Sequence, residues 1–210
     1  MITKNIIIKE ACVDSHERAI NVERNGADRI ELCQNLDLEG LTPNINVIKR
    51  TIQSVKIPVK IMIRPRSGNF IYNQNEIRSM ENDIELCKNI NVTEVVFGAL
   101  TRERSIDIEK IKKLASKAYP MAITFHKAID ETDNILNALS KLSKVQNISS
   151  ILTSGGAKTA IDGQIMLNKI IDQYNNRFNI IVAGSITHEN FNDIHSLINA
   201  KEYHGKNLIQ

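Results

Sequence analysis

The sequence predicts an α/β fold: a (β/α)8 barrel of the TIM type, one domain over residues 1–210, ending without the closing C-terminal helix. Three observations predict it. Short β-branched and apolar runs alternate with helical patterns in units of roughly 20 to 30 residues, repeated about eight times. Glycine and polar residues gather after the predicted strands, where barrels build their functional loops. Residues 201–204 close a ring beside the first strand, whereas in an open doubly wound sheet they are an expendable edge.

The first strand is predicted over residues 5–11, where Ile6, Ile7 and Ile8 form a β-branched run. A helix follows, capped by Asp14 or Ser15 and stopped near Gly26. The second strand, residues 29–33, leads through a polar loop with Gly40, Thr42 and Pro43 to a helix over 45–54. The third strand, 59–63, is bracketed by Pro58 and Pro65. Its helix covers 76–89, where Ile77, Met80, Ile84 and Cys87 recur every three or four residues, which makes Cys87 a core residue. Strands at 94–97, 121–125, 150–152 and 179–182 alternate with helices at 108–117, 134–144, 163–174 and 189–198. Residues 202–204 supply the eighth strand.

With 42% of its residues hydrophobic, the chain has material for one substantial core. Lys+Arg 27 against Asp+Glu 24 leaves a net charge of +3, with both signs dispersed and no basic stripe interleaved with aromatics, so no nucleic-acid partner is expected. No stretch approaches the roughly 18 apolar residues of a membrane helix. Cys12, Cys33 and Cys87 cannot all pair within the chain, and the start has no secretory pattern, so a reducing, cytoplasmic location is expected.

Side chains alternate faces along a strand, so polar residues at every second position form a polar row. Glu10 and Cys12 share a face, as do Arg29, Glu31 and Cys33, then Lys60, Met62 and Arg64, then Thr124 and His126, and finally Glu202 and His204. With Ile30, Leu32, Ile61, Ile63, Ile123 and Phe125 facing the helices, these rows face the barrel axis. Buried charge is costly unless compensated, so such a cluster is either a self-neutralising network or a functional site. Cys12, Cys33, His126 and His204 add nucleophilic, ligating and proton-transferring groups beyond what neutralisation requires.

Cys12 and Cys33 lie near the carboxyl ends of neighbouring strands, and two soft thiolates there suit monovalent copper better than calcium or magnesium; as small buried hydrophobes they need no metal at all. His126 directly follows an apolar strand and precedes Lys127 and Asp130, a place for proton exchange or for a loop hydrogen bond. Ser154, Gly155 and Gly184 stand in turns whose backbone amides can cradle an anion, with Arg29 and Arg64 as cationic partners; plain turns also explain the glycines. His16, His188 and His195 fall on helices or their entrances and are expected to be solvated or capping.

The segments GADRIELC at 26–33, GLTP at 40–43, MIRPR at 62–66, FGAL at 97–100, TFH at 124–126 and LTSGG at 152–156 resemble, in order, the CutC copper-homeostasis family. The resemblance runs from the first strand to His204 and Gly205. It implies a cytoplasmic barrel, often a homodimer, linked to copper tolerance, with Cys12 and Cys33 at the positions of proposed Cu+ ligands. It also implies that Glu10, Arg29, Glu31, Arg64, His126 and His204 ring the barrel mouth. Two departures stand out: Glu39 replaces a common glycine, and the loop 101–105 lacks one. The missing closing helix is expected to expose the first and last strands.

Two functions follow as expectations. One is copper binding through the Cys12 and Cys33 thiolates. The other is a barrel enzyme for a small anionic or phosphorylated metabolite, with Arg64 and the turns holding the anion and Glu31, His126, Glu10 and His204 in acid–base roles. A scaffold whose barrel mouth binds a partner is the third, plainer reading.

Overall fold

Eight parallel strands follow one another around a closed ring in chain order, the last pairing with the first. The computed structural model describes residues 7–210. The strands are β1 (Ile8–Val13), β2 (Arg29–Leu32), β3 (Val59–Met62), β4 (Glu94–Phe97), β5 (Ala122–Phe125), β6 (Ile148–Thr153), β7 (Asn179–Val182) and β8 (Glu202–Gly205). Among the described residues seven α-helices surround them: α1 (His16–Arg24), α2 (Ile45–Ser54), α3 (Gln74–Asn89), α4 (Ile108–Ala118), α5 (Ile135–Leu142), α6 (Gln164–Tyr174) and α7 (Phe191–Ile198).

Helices α1 to α5 each start on a side-chain cap that the sequence offers. Ser15 accepts the Arg18 amide, and Asn73 with Glu76 forms a reciprocal capping box, which begins α3 two residues before its expected start. β1 is displaced toward the carboxyl side of the expected 5–11, because residues 10–13 pair with 29–32 of β2; Asn5 and Ile6 lie outside the described residues. Short 3-10 turns at Leu36–Leu38 and Lys127–Glu131 are additions the periodicity does not announce.

Outward strand residues Ile30, Leu32, Ile61, Ile63, Val95, Phe97, Ile123, Phe125 and Ile151 form one continuous core with Ile77, Met80, Ile84 and Cys87 of α3 and the inner faces of α4 and α5. The two loops without their common glycine keep left-handed backbones all the same. Glu39 (φ 66) and Arg104 (φ 49) occupy that region, at about 1 kcal/mol of strain each.

The expected exposure of β1 and β8 is not found. Ala11, Val13 and Tyr203 are fully buried. Phe191 meets the Tyr203 ring edge-on at 5.1 Å, and the Tyr203 hydroxyl bonds His195 Nδ1 at 2.7 Å, so the half-buried His195 is a packing partner of β8. Residues 206–210 then lie along the seam: Asn207 bridges to Thr187, Leu208 is buried, Ile209 packs on the main core, and Asn25 donates to the Gln210 carbonyl. This short tail and α7 do the covering that a closing helix was expected to do.

Candidate functional site

The inward rows form layers, and the lowest is a salt network. Lys60 Nζ lies 3.2 Å from Glu10, 3.0 Å from Glu94 and 2.8 Å from the Thr124 hydroxyl. Arg29 bridges Glu10 at 2.5 Å and Glu202 at 2.6 Å. Burial disfavours the charge on Glu10, but Lys60, the His204 hydrogen bond and Arg29 outweigh it and hold that carboxyl well below its usual range. Arg29 and Lys60 are thus paired within the barrel, Arg29 with Glu10 and Glu202 and Lys60 with Glu10 and Glu94.

Above it, β1, β2 and β8 bring four groups together. The Cys12 and Cys33 sulfurs are 3.8 Å apart, and both reach Glu31 Oε2, at 3.3 and 3.5 Å. Across the ring closure, His204 Nδ1 contacts Glu10 at 2.8 Å, and its Nε2 faces Glu31 at 3.8 Å. The pairing of Glu10 with Arg29 and His204, and of Cys12 with Glu31, fixes this convergence in the backbone register. Burial, with help from Cys12 and Glu10 and against the pull of His204, pushes the Glu31 carboxyl up to about 8. Burial opposes charge on His204 too, but Glu31, Cys12 and Glu10 lift it well above 6.5. The Cys33 thiol hydrogen bond draws Cys12 down, aided by His204, and the same contact with burial pushes Cys33 up. The cluster can thus hold or pass a proton among a carboxyl, an imidazole and a thiol near neutral pH.

Two groups of three here could hold a metal ion: Cys12, Glu31 and Cys33, or Glu10, Glu31 and His204, with ligand atoms within 4.8 Å of one another in each. The first set offers the two soft sulfurs that monovalent copper prefers; the second is harder and already committed to proton and salt contacts.

A second group sits at the carboxyl ends of β3 and β5. Arg64 is buried, donating from Nη1 to the Glu39 carbonyl at 3.2 Å and from Nη2 to the Gly68 carbonyl at 2.9 Å. His126 packs on the bare backbone of Gly98, where an added Cβ would come 2.8 Å from the imidazole. Its Nδ1 accepts the Ala128 amide, which leaves the proton on Nε2. Phe70 closes over both, 4.7 Å from the Arg64 guanidinium and 4.7 Å from the His126 ring. Burial, followed by the Arg64 charge, lowers His126 to about 3, so the imidazole is neutral. Arg64 Nε, His126 Nε2 and Glu31 Oε1 are all buried without a hydrogen-bond partner among the described residues. The two groups meet at Gly40: its carbonyl accepts from Arg64 at 3.5 Å, and an added Cβ there would come 3.0 Å from Cys33 Sγ.

The glycine turn after β6 is occupied from within. Asp130 accepts the amides of Ser154 and Gly156 and the hydroxyls of Thr153 and Ser154, while Lys127 bonds Asp130 at 2.6 Å and also the Ser154 hydroxyl. Gly155 N donates to Thr153, and the Gly184 carbonyl accepts from Ala160. The anion these amides hold is the protein's own. Sequence reasoning missed Asp130 as their partner and Phe70 as the cover, and no spacing or periodicity in the chain marks either.

The CutC family model matches residues 7–209. The chain belongs to the CutC family. The human protein described as "Copper homeostasis protein cutC homolog" is 40% identical over 95% of this chain and 73% of its own length. The solved structure described as the putative copper homeostasis protein CutC from Streptococcus agalactiae superposes with TM-score 0.91 at 31% identity, over 97% of this CutC chain and all of that one. Dihydrodipicolinate synthase DapA-2 from Bacillus anthracis has TM-score 0.65 at 13% identity over 96% of this chain and 70% of its own, a likeness of fold alone.

Proposed function

We propose that this CutC-family protein is a barrel enzyme acting on a small anionic or phosphorylated metabolite by acid–base chemistry. The observation that carries the reading is the set of unpartnered buried atoms at the strand ends: Arg64 Nε, His126 Nε2 and Glu31 Oε1. Each such group costs about 1–3 kcal/mol, so a fold that keeps Arg64 and His126 under one ring, with Glu31 linked to them through Cys33 and Gly40, has a use for them. Arg64 receives the negative group, and neutral His126 donates from Nε2 to an adjacent oxygen. Glu31, pushed up to about 8, exchanges a proton with the substrate, and His204 braced on Glu10 exchanges it in turn with Glu31. Entry requires Phe70 and residues 67–71 to lift, and the anion replaces the Gly68 carbonyl on Arg64.

Thermal unfolding in the presence of phosphorylated sugars and small carboxylates tests the reading. At least one is expected to raise the wild-type Tm by several degrees, and Arg64→Met and His126→Ala are expected to abolish that shift. A panel that moves neither wild type nor variants overturns it.

The 3.8 Å approach of Cys12 to Cys33 beside Glu31 favours a second reading, in which monovalent copper is the cargo. Cys12 and Cys33 would hold it through thiolate sulfur, with Glu31 beside them. Titration against a competing chelator checks it: the Cys12→Ser, Cys33→Ser double variant is expected to lose the high-affinity equivalent. A cytoplasmic homodimer completes the proposal, and light scattering at twice the chain mass is the expected result. No described helix is long and apolar enough to cross a membrane.

A further inference from the structure

We propose that Cys12 and Cys33 are a reversible dithiol–disulfide couple oxidised by hydroperoxide. The proposal rests on where the sulfurs lie and what surrounds them, and it stands whether or not the barrel mouth takes an anion. The two sulfurs are 3.8 Å apart and share Glu31 Oε2 as hydrogen-bond acceptor, so they already face one another. A disulfide needs them about 1.8 Å closer. Cys33 lies one residue beyond β2, with its sulfur against the bare backbone of Gly40. The third cysteine, Cys87, lies on the core-facing side of α3 with Ile77, Met80 and Ile84, outside this cluster.

The surroundings also supply the proton the chemistry requires. Cys12 gives its proton to the Glu31–His204 pair and its sulfur attacks the terminal oxygen of the hydroperoxide; an S–O bond forms, the O–O bond breaks, and the leaving oxygen takes that proton back from the pair. Cys12 is then a sulfenic acid, and Cys33 sulfur attacks it, forming the S–S bond and releasing water. Two electrons pass from two thiols to one peroxide, which ends as two waters when the oxidant is hydrogen peroxide. Only a small oxidant qualifies, because both sulfurs are buried beneath Leu36, Met62 and Val96. Oxidation removes both soft donors at once and ties the ends of β1 and β2 together.

Reduced, copper-free protein treated with hydrogen peroxide tests the proposal. The intact mass is expected to fall by about 2 Da, peptide mapping to join Cys12 to Cys33, and dithiothreitol to reverse both changes. Cys87 is expected to remain alkylatable, reacting at least tenfold more slowly. In Cys33→Ser the link cannot form, and dimedone is expected to trap sulfenic acid at Cys12. Equal oxidation of all three cysteines, links only between molecules, or oxygen addition without a Cys12–Cys33 link in the wild type would each overturn the couple. Because the wild-type map is decisive on its own, poor folding of the variant does not rescue the proposal.

Discussion

His126 and Glu31 are both fully buried, and their environments push protonation in opposite senses. His126, lowered to about 3, refuses the proton that the unfolded chain accepts at about 6.5, so stability falls as pH drops from about 6.5 toward 3. Between pH 7.5 and 5 that loss is about 2 kcal/mol. In His126→Asn the loss is expected to disappear; urea denaturation at the two pH values measures it, and an unchanged pH slope in the variant contradicts the buried neutral imidazole. Glu31, raised to about 8, contributes stability that is full below about 4.5 and is lost as pH rises through about 8. Glu31→Gln keeps the shape without the titration, so its stability is expected to match wild type near pH 4 and to exceed it by a margin that grows as pH rises to about 8. Thermal unfolding across that range reads the difference.

At the scale of elements, the Lys127–Glu131 turn is held to the end of β6 through one carboxylate. Asp130→Asn sets an amide N–H2 against the Ser154 and Gly156 amides and Lys127, and is expected to cost about 2–3 kcal/mol in denaturant titration. The strands and helices were legible because their signals are local: β-branched and apolar runs such as Val95 to Phe97, the three-and-four spacing of Ile77 to Cys87, and caps such as Ser15. The inward rows followed from alternation; which of their residues meet, Cys12 with Glu31 and His204 with Glu10, is set by the strand register. Asp130 inside the glycine turn and Phe70 over Arg64 were not legible. Each depends on how a loop folds back between strands, and neither periodicity nor spacing records that.

For the whole molecule, the seam between β1 and β8 depends on very few side chains. Leu208→Ala removes a buried group from the five residues that cover it and is expected to cost about 3 kcal/mol, read as a lower denaturant midpoint at unchanged slope. A loss below about 1 kcal/mol would show that α7 alone protects the seam.

The contact between Glu10 and His204 joins positions 194 apart in the chain. During synthesis the first two strands leave the ribosome with both cysteines long before the imidazole that completes their surroundings exists. A nascent chain therefore carries sulfur without its proton relay, and any chemistry that needs both begins only after the ribbon's two ends have met.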